Sequence, residues 1–253
     1  MTPQHKAYGL IGQSLAHSFS MDFFNQKFVA EEIDAEYINF ELESVSSLMS
    51  VLSEYPNLSG LNVTTPFKEE VMALLDELDP SATSVGAVNV IKIARTPDGR
   101  LHKLKGYNTD MIGFKKTVEP LVDGTMTRAL VLGTGGASKA VSLALQQLGV
   151  EVTFVSRKKS ATTTTYEELT KQMMHDHKII VNTTPLGTYP HIAACPDIPY
   201  RFITSGHLCY DLVYNPSETT FMKRAAQQGA RAKNGLEMLL LQAFESYRIW
   251  TDD

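Results

Sequence analysis

Cysteine is scarce in this sequence: Cys195 and Cys209 are its only two in 253 residues. They match no metal or redox spacing, so a reduced, cytoplasmic protein is the simplest reading. No apolar run approaches the roughly 18 residues of a membrane span. The apolar stretch inside MTPQHKAYGLIGQSLAHS at the start is too short for a signal peptide. No basic block stands out. Lys and Arg number 23 against 28 Asp and Glu, a net charge of −5, and nucleic acid is not an expected partner. The seven histidines are scattered. His175 and His177 flank Asp176 in what reads as a polar helix end, and no metal is expected. Internal repeats are absent too. What is present is a chain with 43% hydrophobic residues, enough for a sizeable core in one large domain or two small ones.

Along the first ~110 residues, strand and helix patterns alternate. AYGLIG (7–12) reads as a short buried strand, followed by a Ser-rich turn with Ser14, Ser18 and Ser20 and a helix from about Asp22 to Glu32. AEYINFEL alternates like a strand, VSSLMSVLSEY has helical spacing, and GLNVT (60–64) is a third strand. PFKEEVMALLDEL then reads as an amphipathic helix, with Thr65 as N-cap and Pro66 at the first helical position. GAVNVIKIA and LHKLKGYN pair as a hairpin across RTPDGR. The order argues an α/β domain with a mostly parallel sheet.

A second unit opens near residue 110. RALVLG (128–133) is a strand, GTGGASKAVSLALQQLG a glycine-rich turn opening a helix, and EVTFVSR (151–157) the next strand. Thr162 to Thr165 read as a flexible connection, with Thr165 and Glu168 fitting a capping box for a helix near Tyr166. KIIVNTTP and LCYDLVYNP are two more buried strands, which completes the βαβαβ order of a dinucleotide-binding fold. In the last helix (235–250), Leu236, Leu240, Ala243, Tyr247 and Trp250 fall on one apolar face.

The turn places Gly133, Gly135 and Gly136 between strand and helix, where a backbone without side chains can approach a pyrophosphate at a helix N-terminus. Ser138 stands where the third glycine of the fingerprint belongs. NAD enzymes tend to place an acid after the second strand; here Ser156, Arg157, Lys158 and Lys159 follow instead, and basic residues suit the 2′-phosphate of NADP. For Lys159 a solvated loop lysine is a serious alternative.

A nicotinamide cofactor in one half puts the substrate in a cleft between the halves. Polar residues at strand ends of the first half become candidates: Ser18, Ser20, Asn62, Thr64, Lys68 and Asn89, with Asn108 and Asp110 at the junction. Exchanging a hydride at an alcohol or carbonyl needs a group that gives or takes a proton. Taken alone, a lysine in a first helical turn is ordinarily just solvated. Near a helix N-terminus, however, its positive charge is disfavoured, and a neighbouring carboxylate restores it, a part for which Asp110 is the candidate.

Taken together, AHSFS (16–20), NVTTPFK (62–68), GAVN (86–89), GYNTDMIG (106–113), GTGGAS (133–138), VNTTPLG (181–187) and NGLEMLLLQA (234–243) make the chain resemble the shikimate dehydrogenase family along nearly its whole length. The resemblance implies NADP-dependent, reversible reduction of 3-dehydroshikimate to shikimate, a step toward chorismate and the aromatic amino acids. It further implies that Ser18 and Ser20 hold the substrate carboxylate, that Asn62, Thr64, Asn89 and Gln242 surround the ring hydroxyls, and that Lys68 and Asp110 are the catalytic pair. On the cofactor side it picks out Gly133, Gly135, Gly136, Ala137, Ser156, Arg157, Lys158, Thr183, Tyr214 and Gly235. Met21 stands where the family usually has proline, Ser156 replaces its usual Asn, and Lys158 a small hydroxyl residue. A relative that prefers quinate or an aminated ring, or that accepts NAD, is the nearest alternative. The architecture expected is two α/β domains: a substrate domain of residues 1–109 rejoined by the C-terminal helix (235–253), and a Rossmann-type domain of 110–234, acting as a monomer or homodimer.

Overall fold

The computed structural model describes residues 5–15 and 18–252; the first two residues of the AHSFS motif, Ala16 and His17, lie outside them. The chain divides into two compact units. One runs through Thr109 and resumes at Ala243; the other spans Asp110–Gln242.

In the first unit β1 (Lys6–Gly12), α1 (Phe19–Ala30), β2 (Ala35–Glu41), α2 (Leu48–Glu54), β3 (Leu58–Val63), β4 (Glu77–Leu78), α3 (Pro80–Val85), β5 (Val90–Arg95) and β6 (Leu101–Tyr107) build one sheet in the order β2-β1-β3-β5-β6-β4. β1 runs parallel to β2 and β3, and β4 parallel to β6, while β5 is antiparallel to both neighbours. β1 is buried on both faces, as its unbroken apolar run demands. Ala7 and Ile11 join Leu48, Leu61, Val71 and Ile91 on one side, while Tyr8 and Leu10 join Phe24, Phe28 and Tyr37 on the other. β2 is an edge strand, and its backbone at Tyr37 is met by the Asn25 side chain of α1. The Tyr37 N–H donates to Asn25 Oδ1 (2.8 Å), and Asn25 Nδ2 donates to the Tyr37 carbonyl (3.0 Å).

The second unit contains α4 (Asp110–Val118), β7 (Arg128–Leu132), α5 (Gly136–Gln147), β8 (Glu151–Ser156), β9 (Thr163–Thr165), α6 (Lys171–Asp176), β10 (Ile179–Asn182), β11 (Leu208–Asp211), α7 (Thr220–Gln227) and β12 (Arg231–Lys233). Its sheet is parallel throughout, in the order β12-β11-β10-β7-β8-β9. This is the doubly wound order, whose reversal between β7 and β10 is where ligands meet strand ends. Alternate residues of β7 feed opposite cores: Ala129 and Val131 face Phe114 and Val141, while Leu130 and Leu132 face Phe221 and Met174. The final helix, α8 (Leu236–Thr251), carries the division between Gln242 and Ala243.

Three local expectations are corrected. No α-helix starts at Pro66. Residues 65–69 form turns, and Glu70–Leu74 is a short 3₁₀ stretch before β4. In an α-helix the Lys68 carbonyl would accept from Met72; instead it accepts from Val88 N–H (2.7 Å), and Met72 N–H turns to Glu69 (3.3 Å). Asp76 then exchanges bonds with Leu104, backbone to backbone (3.0 Å) and carboxylate to N–H (2.7 Å), which draws the chain into the sheet. Second, the threonine run is no loose connection: Thr163–Thr165 form the edge strand β9. Glu168 does accept from Thr165 N–H (3.1 Å), but the helix begins at Lys171 with Thr170 as its cap. Third, the buried face of α8 runs through Met238, Gln242, Ala243, Ser246, Ile249 and Trp250, while Leu236 is exposed. Gln242 and Ser246 sit inward because they have polar partners, which an apolar-face count cannot register.

Candidate active site

Ser18 is the N-cap of α1, its hydroxyl oxygen accepting from Ser20 N–H (3.3 Å). The cap uses the oxygen as acceptor and leaves the hydroxyl proton to donate. Two hydroxyls at the start of a helix, where the dipole favours negative charge, suit a carboxylate. The approach to α1 is held at Leu15, whose N–H donates to Glu41 (2.7 Å) and whose carbonyl accepts from Asn39 Nδ2 (3.4 Å) and Ser18 N–H (2.9 Å).

Asn62 is the next-to-last residue of β3 and Asn89 leads into β5, and the structure brings the two together. Asn62 Nδ2 donates to the Asn89 carbonyl (3.3 Å) and to Ser246 Oγ (3.0 Å), and Asn62 Oδ1 accepts from the Tyr37 hydroxyl (2.8 Å). Asn89 Nδ2 donates to Thr109 Oγ1 (2.9 Å), Asn89 Oδ1 accepts from Thr109 N–H (2.7 Å), and Thr109 and Ser246 hydroxyls meet at 3.3 Å. All five residues are buried. Tyr37, Thr109 and Ser246 escape sequence reasoning, since each looks like an ordinary core or cap residue until folding joins it to a partner far along the chain. Thr64 follows β3 directly, with its N–H on the Ile11 carbonyl (2.9 Å). Lys68, half-buried, is fixed by its backbone bond to Val88, the residue before Asn89. Asn108 is a brace: its Nδ2 donates to the Ala87 carbonyl (2.9 Å).

In the second unit Asp110 is the buried first residue of α4, where an acid complements the helix dipole. One turn on, Gly113 lets α8 approach. A Cβ there would lie 2.8 Å from the Met238 carbonyl and 3.2 Å from Gln242 N. Gln242 is buried, with its Nε2 on the Leu239 carbonyl (3.0 Å).

The glycine turn fits a dinucleotide. Gly133 has φ of 115°, a left-handed conformation that favours glycine, and a Cβ would sit 2.7 Å from Thr183 Oγ1. Gly135 is the N-cap of α5, no side chain caps the helix, and the space a Gly135 Cβ would take is open. Gly136 and Ala137 open the helix, and Ser138 Oγ donates back to the Gly135 carbonyl (2.5 Å). This cradle of exposed N–H groups suits a pyrophosphate. Thr183 follows β10, its hydroxyl on the Leu132 carbonyl (2.7 Å). After β8, Arg157 and Lys158 are exposed, whereas Lys159 is paired with Glu168. Gly235 is buried against Leu212, whose carbonyl a Cβ would strike. Tyr214 is half-buried in the segment after β11. Among the described residues no group of His, Cys, Asp or Glu could hold a metal ion, and no helix is long and apolar enough to cross a membrane.

Beneath the switch region lies Asp211, fully buried at the end of β11. It accepts from Asn182 Nδ2 (2.9 Å), Val213 N–H (3.1 Å) and Thr219 Oγ1 (2.6 Å). Burial outweighs these donors and raises its carboxyl to about 6. The folded state therefore holds this proton more tightly than the unfolded chain. Asp211 favours folding below pH ~4, and that contribution is lost as pH rises to ~6, a change of about 3 kcal/mol. Asp211→Asn is expected to flatten this part of the stability profile, as measured by urea unfolding across that window.

A doubly wound parallel sheet with an uncapped glycine turn at its first helix, followed by basic residues after the second strand, defines the class of dinucleotide-binding oxidoreductases. The model for the shikimate dehydrogenase substrate binding domain matches residues 10–91. The shikimate dehydrogenase (NADP(+)) of Carboxydothermus hydrogenoformans is 37% identical, covering 97% of this chain and 91% of the relative. Shikimate dehydrogenase 1 from Peptoclostridium difficile superposes with a TM-score of 0.83 at 35% identity, covering 98% of this chain and 92% of that one. A quinate dehydrogenase from Corynebacterium glutamicum in complex with NAD also reaches 0.83, at 27% identity and coverage of 97% and 93%. The chain belongs to the shikimate dehydrogenase family.

Proposed function

We propose that this protein is an NADP-dependent shikimate dehydrogenase, interconverting 3-dehydroshikimate and shikimate on the route to chorismate. The reading is carried by the likeness, over nearly the whole chain, to relatives bearing that name. We assign the substrate to residues 1–109 with the C-terminal helix from 235, and the cofactor to 110–234. NADP, when bound, supplies the hydride acceptor or donor. The chain's own residues do the rest. Ser18 and Ser20 hold the ring carboxylate at the start of α1; Asn62, Thr64, Asn89 and Gln242 take the ring hydroxyls. Lys68 and Asp110 hold and move the proton of the reacting hydroxyl as its carbon loses or gains a hydride. Gly133, Gly135, Gly136 and Ala137 receive the pyrophosphate, with Ser156, Arg157 and Lys158 at the 2′-phosphate and Thr183, Tyr214 and Gly235 toward the nicotinamide. The enzyme acts in the cytoplasm as a monomer or homodimer.

The second reading, oxidation of quinate or use of NAD, is favoured by the likeness to the NAD-bound quinate dehydrogenase and by Lys159, which is tied to Glu168. Initial rates at 340 nm with shikimate or quinate, each with NADP or NAD, decide between them. Fast turnover confined to shikimate and NADP supports the first reading; equal or faster turnover with quinate or NAD supports the second. In the same assay Arg157→Ala is expected to raise the KM for NADP roughly tenfold or more and to leave that for NAD nearly unchanged, because only NADP carries a phosphate for the guanidinium.

A further inference from the structure

An asparagine amide can present its oxygen or its nitrogen to a ligand, and the two states differ by a flip of nearly isosteric groups. At Asn62 the surroundings remove that freedom. The Asn89 carbonyl can only accept, so the Asn62 NH₂ must point to it (3.3 Å), and its second proton goes to Ser246 Oγ (3.0 Å). Asn62 Oδ1 then faces the Tyr37 hydroxyl (2.8 Å), which has to be the donor. The phenol oxygen keeps a lone pair, and the Ser20 hydroxyl stands beside it. Tyr37 is almost wholly buried and its ring stacks on Phe24 at 4.7 Å, so the hydroxyl has little room to swing away. One phenol thus touches both Ser20 and Asn62.

We propose that Tyr37 and Ser246 are positioning residues that lock the Asn62 amide with its oxygen toward Tyr37, so that Asn62 meets substrate only as a hydrogen-bond acceptor, and that Tyr37 couples this acceptor to the serine at the carboxylate end. The inference rests on the shikimate dehydrogenase reading. Both amide protons of Asn62 are consumed inside the protein, and one lone pair of Oδ1 remains for a ring hydroxyl that donates. Loss of either partner leaves the lock resting more heavily on the 3.3 Å bond to the Asn89 carbonyl, so the amide turns more readily and the site's preference for a donor at that ring position weakens.

The test is steady-state kinetics of the full chain with shikimate and with analogues that each lack one ring hydroxyl, for wild type, Tyr37→Phe and Ser246→Ala. Tyr37→Phe keeps the ring and its stack. It is expected to raise the KM for shikimate roughly tenfold, the worth of one well-placed hydrogen bond, with the KM for NADP within about twofold. One analogue, the one without the hydroxyl that donates to Asn62, should lose part of its disadvantage in both variants, while the others keep theirs. That selective loss is something a general loosening of the fold cannot produce. An unchanged KM for shikimate, or equal weakening of every analogue, overturns the proposal. Wild-type protein that does not turn over shikimate refutes the functional reading itself and this inference with it.

Discussion

Lys68→Ala is expected to lower kcat for shikimate oxidation by roughly 10²–10⁴, the usual contribution of a positioned proton-transfer group, while leaving NADP binding and the melting temperature nearly unchanged. The residue is half-buried, its backbone is fixed by Val88, and the packing of its segment is carried by Phe67 and Val71, both nearly or fully buried. Truncation therefore removes the amine without opening the core. The segment is a turn and a 3₁₀ stretch, so the α-helix N-terminus expected beside that amine is not formed. The acid that the family pattern pairs with Lys68 is Asp110. Single-turnover measurement of hydride transfer, with NADP binding followed separately, checks this. A kcat within a few-fold of wild type would remove Lys68 from the chemistry.

Trp250→Ala is expected to destabilise the protein by about 3–5 kcal/mol, the range for truncating a large buried aromatic. The indole stacks on Tyr8 at 4.9 Å, donates from Nε1 to the Ile91 carbonyl (3.1 Å), and lies against Gly60, where a Cβ would overlap it. The end of α8 is thereby fastened to β1, β3 and β5 through a single side chain. Gly60→Ala should be costly on its own and less so beside Trp250→Ala, since the removed ring vacates the space the methyl needs. Urea unfolding followed by circular dichroism is the measurement, because Trp250 is the only tryptophan and its fluorescence is lost with it. A change below about 1 kcal/mol would mean that the helix end is held by other contacts.

The cofactor half was readable from sequence because its signals are local: a buried strand, a glycine turn and a helix follow one another within twenty residues. The substrate half was readable where strands alternate with helices. It was misread where tertiary bonds outcompete local pattern, as when Val88 takes the Lys68 carbonyl that a helix would have used. The threonine run misled in the same way, because β-branched residues without apolar alternation become a strand only once β8 lies alongside. Asn62, Asn89 and Gln242 stood out through motif and resemblance. Tyr37, Thr109 and Ser246, which hold the two asparagines, did not, because the bond from Asn62 to Ser246 spans 184 positions and no periodicity reaches that far.

An open sheet has raw margins, and a margin with unpaired N–H and C=O groups invites a foreign strand. Three of the margins here are too short to template anything: β4 has two residues, β9 and β12 three each. The fourth, β2, is seven residues long and would be the natural place for chains to zip together. Asn25 closes it at Tyr37 by offering a side-chain amide in place of the neighbour's backbone. The same α1 that opens with the two serines therefore guards the molecule's solubility. Any route to fibrils through this sheet must first peel that helix away, so aggregation should track local unfolding of α1 rather than the concentration of native protein.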